Sequence, residues 1–428
     1  MRIINYTDTN FPEQLASLNR EFTPEPAVET SVRDIIAKVR KDGDAALIEL
    51  AAKFDRTTLN PDQLRVTAAE LKQAKKQVET QARHAVKLAH ENVRNFALRS
   101  KRKDWSGKNR QGVKVGERFD PFERVGIYVP AGTAPLASTV IMTVTLAAAA
   151  GVPEIVVVSP VGPDGAINPA VLYALSVCGA TEVYKVGGAQ AIAALAYGTE
   201  TIRSVVKIFG PGNPWVVEAK RQVFGRVAVD LLPGPSEILV IADSTANPAF
   251  VAADMLAQAE HGHGSSVALV TNSKRLVAAV QKELQEQAAN LSRKQHLEEV
   301  LKENTFLVLV KSMDQAVKVA NDFAPEHLSI TAKNEEKLAK GIRTSGAIFL
   351  GALSPVVGGD FVAGPSHELP TGGAGKSFGG LTVDQFQRRT SIVRFNATSL
   401  KKSYPTIRTF SEVEGLDAHG HSAAIRLE

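Results

Sequence analysis

Short runs rich in β-branched and aliphatic residues recur along the chain, and stretches of helical spacing separate them. The runs that read as strands are 126–129, 155–158, 183–186, 205–209, 227–231, 238–241, 267–270, 306–310, 328–331 and 347–350. Between them, 137–150, 169–177, 189–196, 214–221, 248–260, 276–286, 313–322 and 335–342 read as helices. This alternation predicts βαβ units and mostly parallel sheets. The strands are too many for one comfortable sheet, so two α/β units are expected. The turn-forming run Leu232-Pro233-Gly234-Pro235 marks the break between them. One unit then spans 125–233 and the other 234–381. The helical segment 1–124 is expected to pack with the second unit. From 382 to 428 the rhythm fades, and that piece reads as a small tail domain and dimerisation arm.

One apolar stretch could mislead. No Asp, Glu, Lys or Arg lies between Arg124 and Glu154, but Gly126, Pro130, Gly132 and Pro135 interrupt its first half. The helical remainder, 136–150, reaches only about 22 Å at 1.5 Å per residue. A hydrocarbon core needs roughly 30 Å. A strand, a turn and a fully buried helix account for it better than a membrane span. The N-terminus Met1-Arg2-Ile3-Ile4-Asn5 has no apolar signal core, so a cytoplasmic protein is expected, with no membrane partner.

With 44% apolar and 22% charged residues in 428, the chain has the composition of a globular protein, not a disordered one. A single cysteine, Cys178, excludes a disulfide scaffold or a cysteine-rich zinc site and suits a reducing compartment. It lies between Val177 and Gly179 with no base nearby, which argues against a covalent thiol mechanism. The net charge of +5 is mild for this length. The densest basic stretch, 72–103, interleaves Leu71, Val78, Leu88 and Val93 with its lysines and arginines. It reads as the wet face of one long amphipathic helix. It carries no recognised nucleic-acid motif, and no nucleic-acid partner is expected.

Candidate chemistry concentrates in loop-like contexts. His84, His90 and His296 sit in charged helical stretches and read as surface residues, whereas His261, His263, His327, His367, His419 and His421 lie beside glycine, proline or acidic residues. Loops at the ends of parallel strands are where ligands gather. Gln258 and His261, three apart at a helix end, share a face. They read either as half of a divalent-metal site or as a helix with a histidine cap. A glycine-rich run from Ser354 to Gly373 reads as a loop with Asp360 and His367 as its reactive members, Asp360 equally well as a cap. Adjacent Glu326 and His327 supply two proton acceptors. Neighbours in a regular strand point to opposite faces, so they can share a substrate only if the backbone is irregular there. Otherwise they are an exposed Glu beside a half-buried His. Gly210-Pro211-Gly212-Asn213 is like a phosphate-binding turn opening a helix, although Trp215 stands where a dinucleotide fingerprint has its third glycine.

Taken together, these segments resemble the histidinol dehydrogenases, zinc enzymes of histidine biosynthesis. The resemblance covers nearly the whole chain. It rests on the run from Val125 through Tyr128 to Gly132, on the run from Val186 through Gln190 to Ala193, and on Phe209-Gly210-Pro211-Gly212-Asn213. It also rests on Gly234-Pro235-Ser236-Glu237, the Gln258–Gly262 run, Phe323-Ala324-Pro325-Glu326-His327-Leu328, the glycine-rich run and Glu414-Gly415-Leu416 with His419. The resemblance implies two incomplete Rossmann-like domains and a small tail. It implies oxidation of L-histidinol to L-histidine through the aldehyde, with two NAD⁺ reduced. Gln258, His261, Asp360 and His419 would hold Zn²⁺, to which the substrate also binds. Ser236, His327, His367 and Glu414 would line the remaining substrate pocket. Tyr128, Gln190 and Asn213 would contact NAD. His327 would be the base and Glu326 would activate water. The tail would reach a second subunit, so Glu414 and His419 would complete the partner's site in a homodimer. Two other enzymatic readings compete: an NAD-dependent dehydrogenase of another amino alcohol or diol, and a zinc hydrolase that uses Glu326.

Overall fold

The computed structural model describes residues 1–18, 25–131 and 135–428; Gly132 of the resembling segments falls outside them. The chain begins with β1 (Arg2–Asn5), α1 (Phe11–Ala16), α2 (Pro26–Phe54), α3 (Ala68–Gln77) and α4 (Thr80–Ser100). A polar hairpin follows, β2 (Trp105–Lys108) and β3 (Lys114–Pro121). Next come β4 (Arg124–Tyr128), α5 (Ala137–Ala150), β5 (Glu154–Val158), α6 (Pro169–Cys178), β6 (Glu182–Tyr184), α7 (Gly188–Tyr197), β7 (Lys207–Phe209), α8 (Pro214–Val223) and β8 (Ala228–Val229). The second alternation is β9 (Glu237–Ala242), α9 (Pro248–Ala259), β10 (Ser266–Thr271), α10 (Lys274–Ala288), α11 (Lys294–Glu303), β11 (Thr305–Leu309), α12 (Met313–Phe323), β12 (His327–Thr331), α13 (Glu335–Ala339), β13 (Ala347–Leu350) and α14 (Val356–Phe361). The chain closes with β14 (Gln387–Arg394), α15 (Ala397–Glu414) and α16 (Asp417–Ala424).

Both alternations form the expected parallel sheets. The first has the order β6-β5-β4-β7-β8 and the second β1-β11-β10-β9-β12-β13. Numbered from β4 and from β9, each runs 3-2-1-4-5, the Rossmann order without its sixth strand; β1 is added beside β11 in the second. Strands covered by helices on both faces must be apolar throughout, and every residue of β9 and of β10 is buried. A separate antiparallel sheet, β14-β3-β2, carries the tail.

Three expectations need correction. First, of the segment before β2, only β1 and α1 join the second unit. Helix α2 packs on α7 and α8, α3 on α6, and α4 on α5. Val32, Leu47 and Val93 share one core with Val125, Val144 and Ile192. The reason is that α5, α6 and α7 are apolar nearly all round, so their outer faces need a second layer. The stripe Val86, Ala89, Val93 and Ala97 of α4 supplies part of it. Second, the basic stretch forms two helices, because Val78 and Glu79 are extended (ψ 127° and 150°). Third, the glycine-rich run is not all loop: Asp360 lies on the short helix α14, whose first N–H, at Val356, donates to Asp254 Oδ1 of α9 at 3.4 Å. Helix α2 also bends at Gly43, where φ is +52° and the Glu200 carboxylate occupies the space a Cβ would need.

Three ionic strand heads stabilise the amino edge of the first sheet. Arg124, 5% exposed, donates to Glu154 and to Glu182 at 2.7 Å each. These bonds hold the Glu182 carboxyl down to about 2 from its usual 4.5, against the opposing effect of burial. A depressed carboxyl stabilises the fold above its unfolded pKa, and that stability is lost as pH falls through the folded value. Stability is therefore expected to drop between pH 4.5 and about 2. Arg124→Met should lower the unfolding free energy at neutral pH by roughly 1–3 kcal/mol. It should also flatten that acid dependence, as followed by denaturant unfolding at several pH values.

Candidate active site

Glu326 and His327 stand where α12 gives way to β12. Ala324 caps α12 in the left-handed region (φ 51°, ψ 65°), so the two residues before His327 escape the alternation of a regular strand. Both side chains turn inward, 7% and 3% exposed, and the reading of an exposed Glu326 is overturned. Their anchor is the neighbouring strand. β12 pairs with β9 so that His327 lies opposite Ile238, which puts Glu237 beside them. The Glu237 N–H donates to Glu326 Oε2 at 2.8 Å, and His327 Nδ1 lies 3.0 Å from the Glu237 carbonyl oxygen. A carbonyl can only accept, so Nδ1 carries a proton and Nε2 faces the site. Glu237 escaped the sequence reading as a site residue, although an acid heading a wholly apolar strand was a visible anomaly.

The cluster continues as alternating carboxylates and imidazoles. His327 Nδ1 is 3.5 Å from Glu326 Oε2, and Nε2 is 3.4 Å from Asp360 Oδ1. Asp360 Oδ1 is 3.9 Å from His367 Nδ1, and His367 Nε2 is 3.5 Å from Glu368 Oε1. Burial works against charge on His327, but the Glu326 and Asp360 carboxylates outweigh it and push the ring up to about 10. Burial also opposes charge on Asp360, yet the hydrogen bond and charge of His327, with His367 and His261, hold its carboxyl below the usual range. His367 is raised, burial being outweighed by Glu368 and Asp360. Glu368, buried and missed by the sequence reading, is raised chiefly by burial; its place next to His367 was the available clue.

Helix α9 brings Gln258 and His261 to the same place, since α14 packs against it. Gln258 is 1% exposed, and its Oε1 is buried with no hydrogen-bond partner. His261, just past the helix, is exposed on one side. Desolvation of the rest of the ring lowers its pKa, although the charges of Glu326 and Asp360 oppose the shift. Its neutral nitrogen can therefore donate a lone pair. His263 pairs instead with Glu299 at 2.6 Å. Ser236 lies half-buried at the head of β9. Glu414 and His419 do not join this group. They are exposed at the end of α15 and on α16, two helices whose main packing is against each other. Accordingly, among the described residues no three His, Cys, Asp or Glu side chains are arranged to hold a metal.

The residues expected to meet NAD gather on the other unit, at the carboxyl edge of its sheet, where the strand order reverses. Tyr128 ends β4; its hydroxyl accepts from the Gly188 N–H at 3.2 Å, and burial pushes its pKa up to about 12. Gln190 is buried in the first turn of α7, with its side-chain oxygen against Gly188. Asn213 caps α8, accepting from the Val216 N–H at 3.1 Å. The second unit departs from this rule, because Ser236, Glu326 and His327 all stand at the amino edge of its sheet. Burial pushes the Cys178 thiol up to about 12, which suits no nucleophile.

Comparison with known proteins identifies the family and the fold. The family model for histidinol dehydrogenase matches residues 18–427. Histidinol dehydrogenase of Geobacillus kaustophilus is 44% identical over 93% of this chain and 93% of its own length, and that of Heliobacterium mobile is 40% identical over the whole of both. The crystal structure of histidinol dehydrogenase from Elizabethkingia anophelis superposes with a TM-score of 0.95 at 34% identity, covering 100% of this chain and 98% of the other. An acetylating aldehyde dehydrogenase from Geobacillus thermoglucosidasius shares the fold alone, at TM-score 0.50 and 15% identity over 86% of this chain and 97% of its own. The chain belongs to the histidinol dehydrogenase family.

Proposed function

We propose that this protein oxidises L-histidinol to L-histidine through the aldehyde, with zinc bound and two NAD⁺ reduced, in cytoplasmic histidine biosynthesis. The observation that carries the reading is the buried Gln258 Oε1 without a partner, one helical turn from His261, whose ring feels the Asp360 charge. An amide oxygen, an imidazole and a carboxylate suit a borderline divalent cation, so the residues fit zinc. One chain supplies three such donors, and His419 on the projecting tail supports a fourth donated between subunits. Family membership supports the substrate, and the lone buried thiol of Cys178 suits a reducing compartment.

When bound, zinc would anchor the substrate and offset the charge of Asp360, which together with that of Glu326 keeps His327 protonated. His327 Nε2 then serves as the base for the alcohol proton as hydride departs to NAD⁺. The Glu237 carbonyl holds its tautomer meanwhile. Glu326 keeps one oxygen on the Glu237 N–H and uses the other to take a proton from the water that adds to the aldehyde. His327 releases its first proton to solvent, and the hydrate then yields the second hydride to the second NAD⁺ as its hydroxyl proton passes to His327 Nε2. His367, Ser236 and Glu414 of the other subunit orient the substrate, and Tyr128, Gln190 and Asn213 bind NAD⁺. A substrate screen separates histidinol from other amino alcohols and diols.

Chelation should abolish turnover, and zinc should restore it. His261→Ala should lose bound zinc, measured by metal analysis, and at least about a hundredfold in kcat, with its unfolding temperature little changed. Full activity in metal-free enzyme would exclude the zinc reading.

Glu326→Gln keeps the shape but cannot take a proton from water. Its loss should be about a hundredfold or more with histidinol as substrate for complete oxidation, and clearly smaller for the first hydride alone in a single turnover. Equal loss in both steps would argue against this division of labour.

For the homodimer, His419→Ala and His261→Ala proteins are each expected to be inactive. After subunit exchange, a mixed dimer has one site with both lesions and one with neither. Activity should return to up to about half of wild type. Proven exchange without recovery would mean that the tail serves its own chain.

A further inference from the structure

The turn Gly210-Pro211-Gly212-Asn213 rests on a buried ion pair that no step above uses. Lys220 of α8 and Asp230, just past β8, are paired with each other, their side chains 0% and 5% exposed. Both also bind Gly210. Lys220 Nζ donates to the Gly210 carbonyl at 2.8 Å, and the Gly210 N–H donates to Asp230 Oδ2 at 2.7 Å. One pair thus fixes both polar groups of a single residue.

Gly210 is where two of the three expected cofactor residues meet. Its φ is +104°, and a Cβ there would lie 2.2 Å from the Tyr128 carbonyl oxygen. On one side it is wedged against Tyr128; on the other the chain runs directly to Asn213 at the head of α8. A buried ion pair is a poor device for stability alone, because desolvating two charges cancels much of their attraction. What it adds over an apolar pair is direction. Only groups that both donate and accept can hold the peptide on either side of Gly210 in one orientation. Glu368, beside His367, feels the charges of both Asp230 and Lys220, so the pair also lies near the substrate side.

We propose that Lys220 and Asp230 are positioning residues for the dinucleotide, setting the shape of the 210–213 turn, and through it the affinity for NAD⁺, without touching it. The inference rests on the reading of Tyr128 and Asn213 as NAD contacts.

The test uses zinc-loaded, full-length protein, calorimetric titration with NAD⁺, steady-state kinetics and thermal unfolding. Lys220→Met should weaken NAD⁺ binding about tenfold or more and raise KM for NAD⁺ in parallel, with KM for histidinol within about twofold of wild type. Asp230→Asn keeps the shape and an acceptor for Lys220 but can lose the bond from Gly210; a smaller weakening, about threefold or more, is expected. NAD⁺ affinity within twofold of wild type in folded variants, whatever their unfolding temperature, would overturn the inference, as would an equal rise in KM for both substrates. If Lys220→Met does not fold, Asp230→Asn decides by the same criteria. Asn213→Ala separates the two levels. If it weakens NAD⁺ binding and the pair variants do not, only this inference fails. If it also leaves binding unchanged, the NAD reading of the turn fails first.

Discussion

The N–H and C=O of Glu237 flank a single α-carbon, and each is committed to a different side chain of the neighbouring strand head. One holds the Glu326 carboxylate and the other the His327 ring. The rest of the site depends on this. It fixes which His327 nitrogen points toward Asp360 and which Glu326 oxygen is left without that bond. The constraint is inherited from register, since β12 and β9 are parallel with His327 opposite Ile238. A slip of one residue would turn every side chain of β12 to the other face.

The electrostatic arrangement follows from the same burial. Glu326, Asp360 and Glu368 are brought together with His327 and His367 in a space with little water. Each imidazole sits between two carboxylates, so negative groups exceed the protons available to balance them. The excess raises His327 to about 10, a poor state for a base. A dication at Asp360 would relieve it.

Much of this architecture was legible in the sequence because parallel strands buried on both faces leave an unmistakable mark, as in Val156-Val157-Val158 or Ile238-Leu239-Val240-Ile241. The antiparallel sheet was not. β3 and β14 mix Lys, Glu and Arg with partly exposed apolar residues, and only their mutual pairing makes them strands. The side on which α2, α3 and α4 pack was missed because it depends on which neighbour lacks cover, a property of α5 to α7 rather than of those helices. Gly358-Gly359 read as loop, yet α14 forms where Val356 is buried and its N–H meets Asp254. The residue types of the site were legible as a set. The inward turn of Glu326 was not, since it depends on a left-handed Ala324 that nothing in its own side chain requires.

The candidate residues of the two units stand at opposite edges of the same fold. The first presents its carboxyl edge, with Tyr128 and the Gly210 turn; the second presents its amino edge, with Glu326 and His327. Two Rossmann-like halves that both used their carboxyl edges would each need their own ligand loops there. Here the loop after α14 belongs to the second unit by sequence but is tied to the first. Asn92 of α4 donates to the Val362 carbonyl at 2.8 Å, and Ser366 donates to the Met142 carbonyl of α5 at 3.1 Å. His367 and Glu368 therefore follow the first unit, while Glu326 and His327 follow the second. Asp360 stands at the joint, within 3.4 Å of His327 on one side and 3.9 Å of His367 on the other. Any sliding of the units must stretch one of those contacts. The cost of doing so inside a buried, charged cluster makes Asp360 the point where the geometry of the cluster and that of the two units are fixed together.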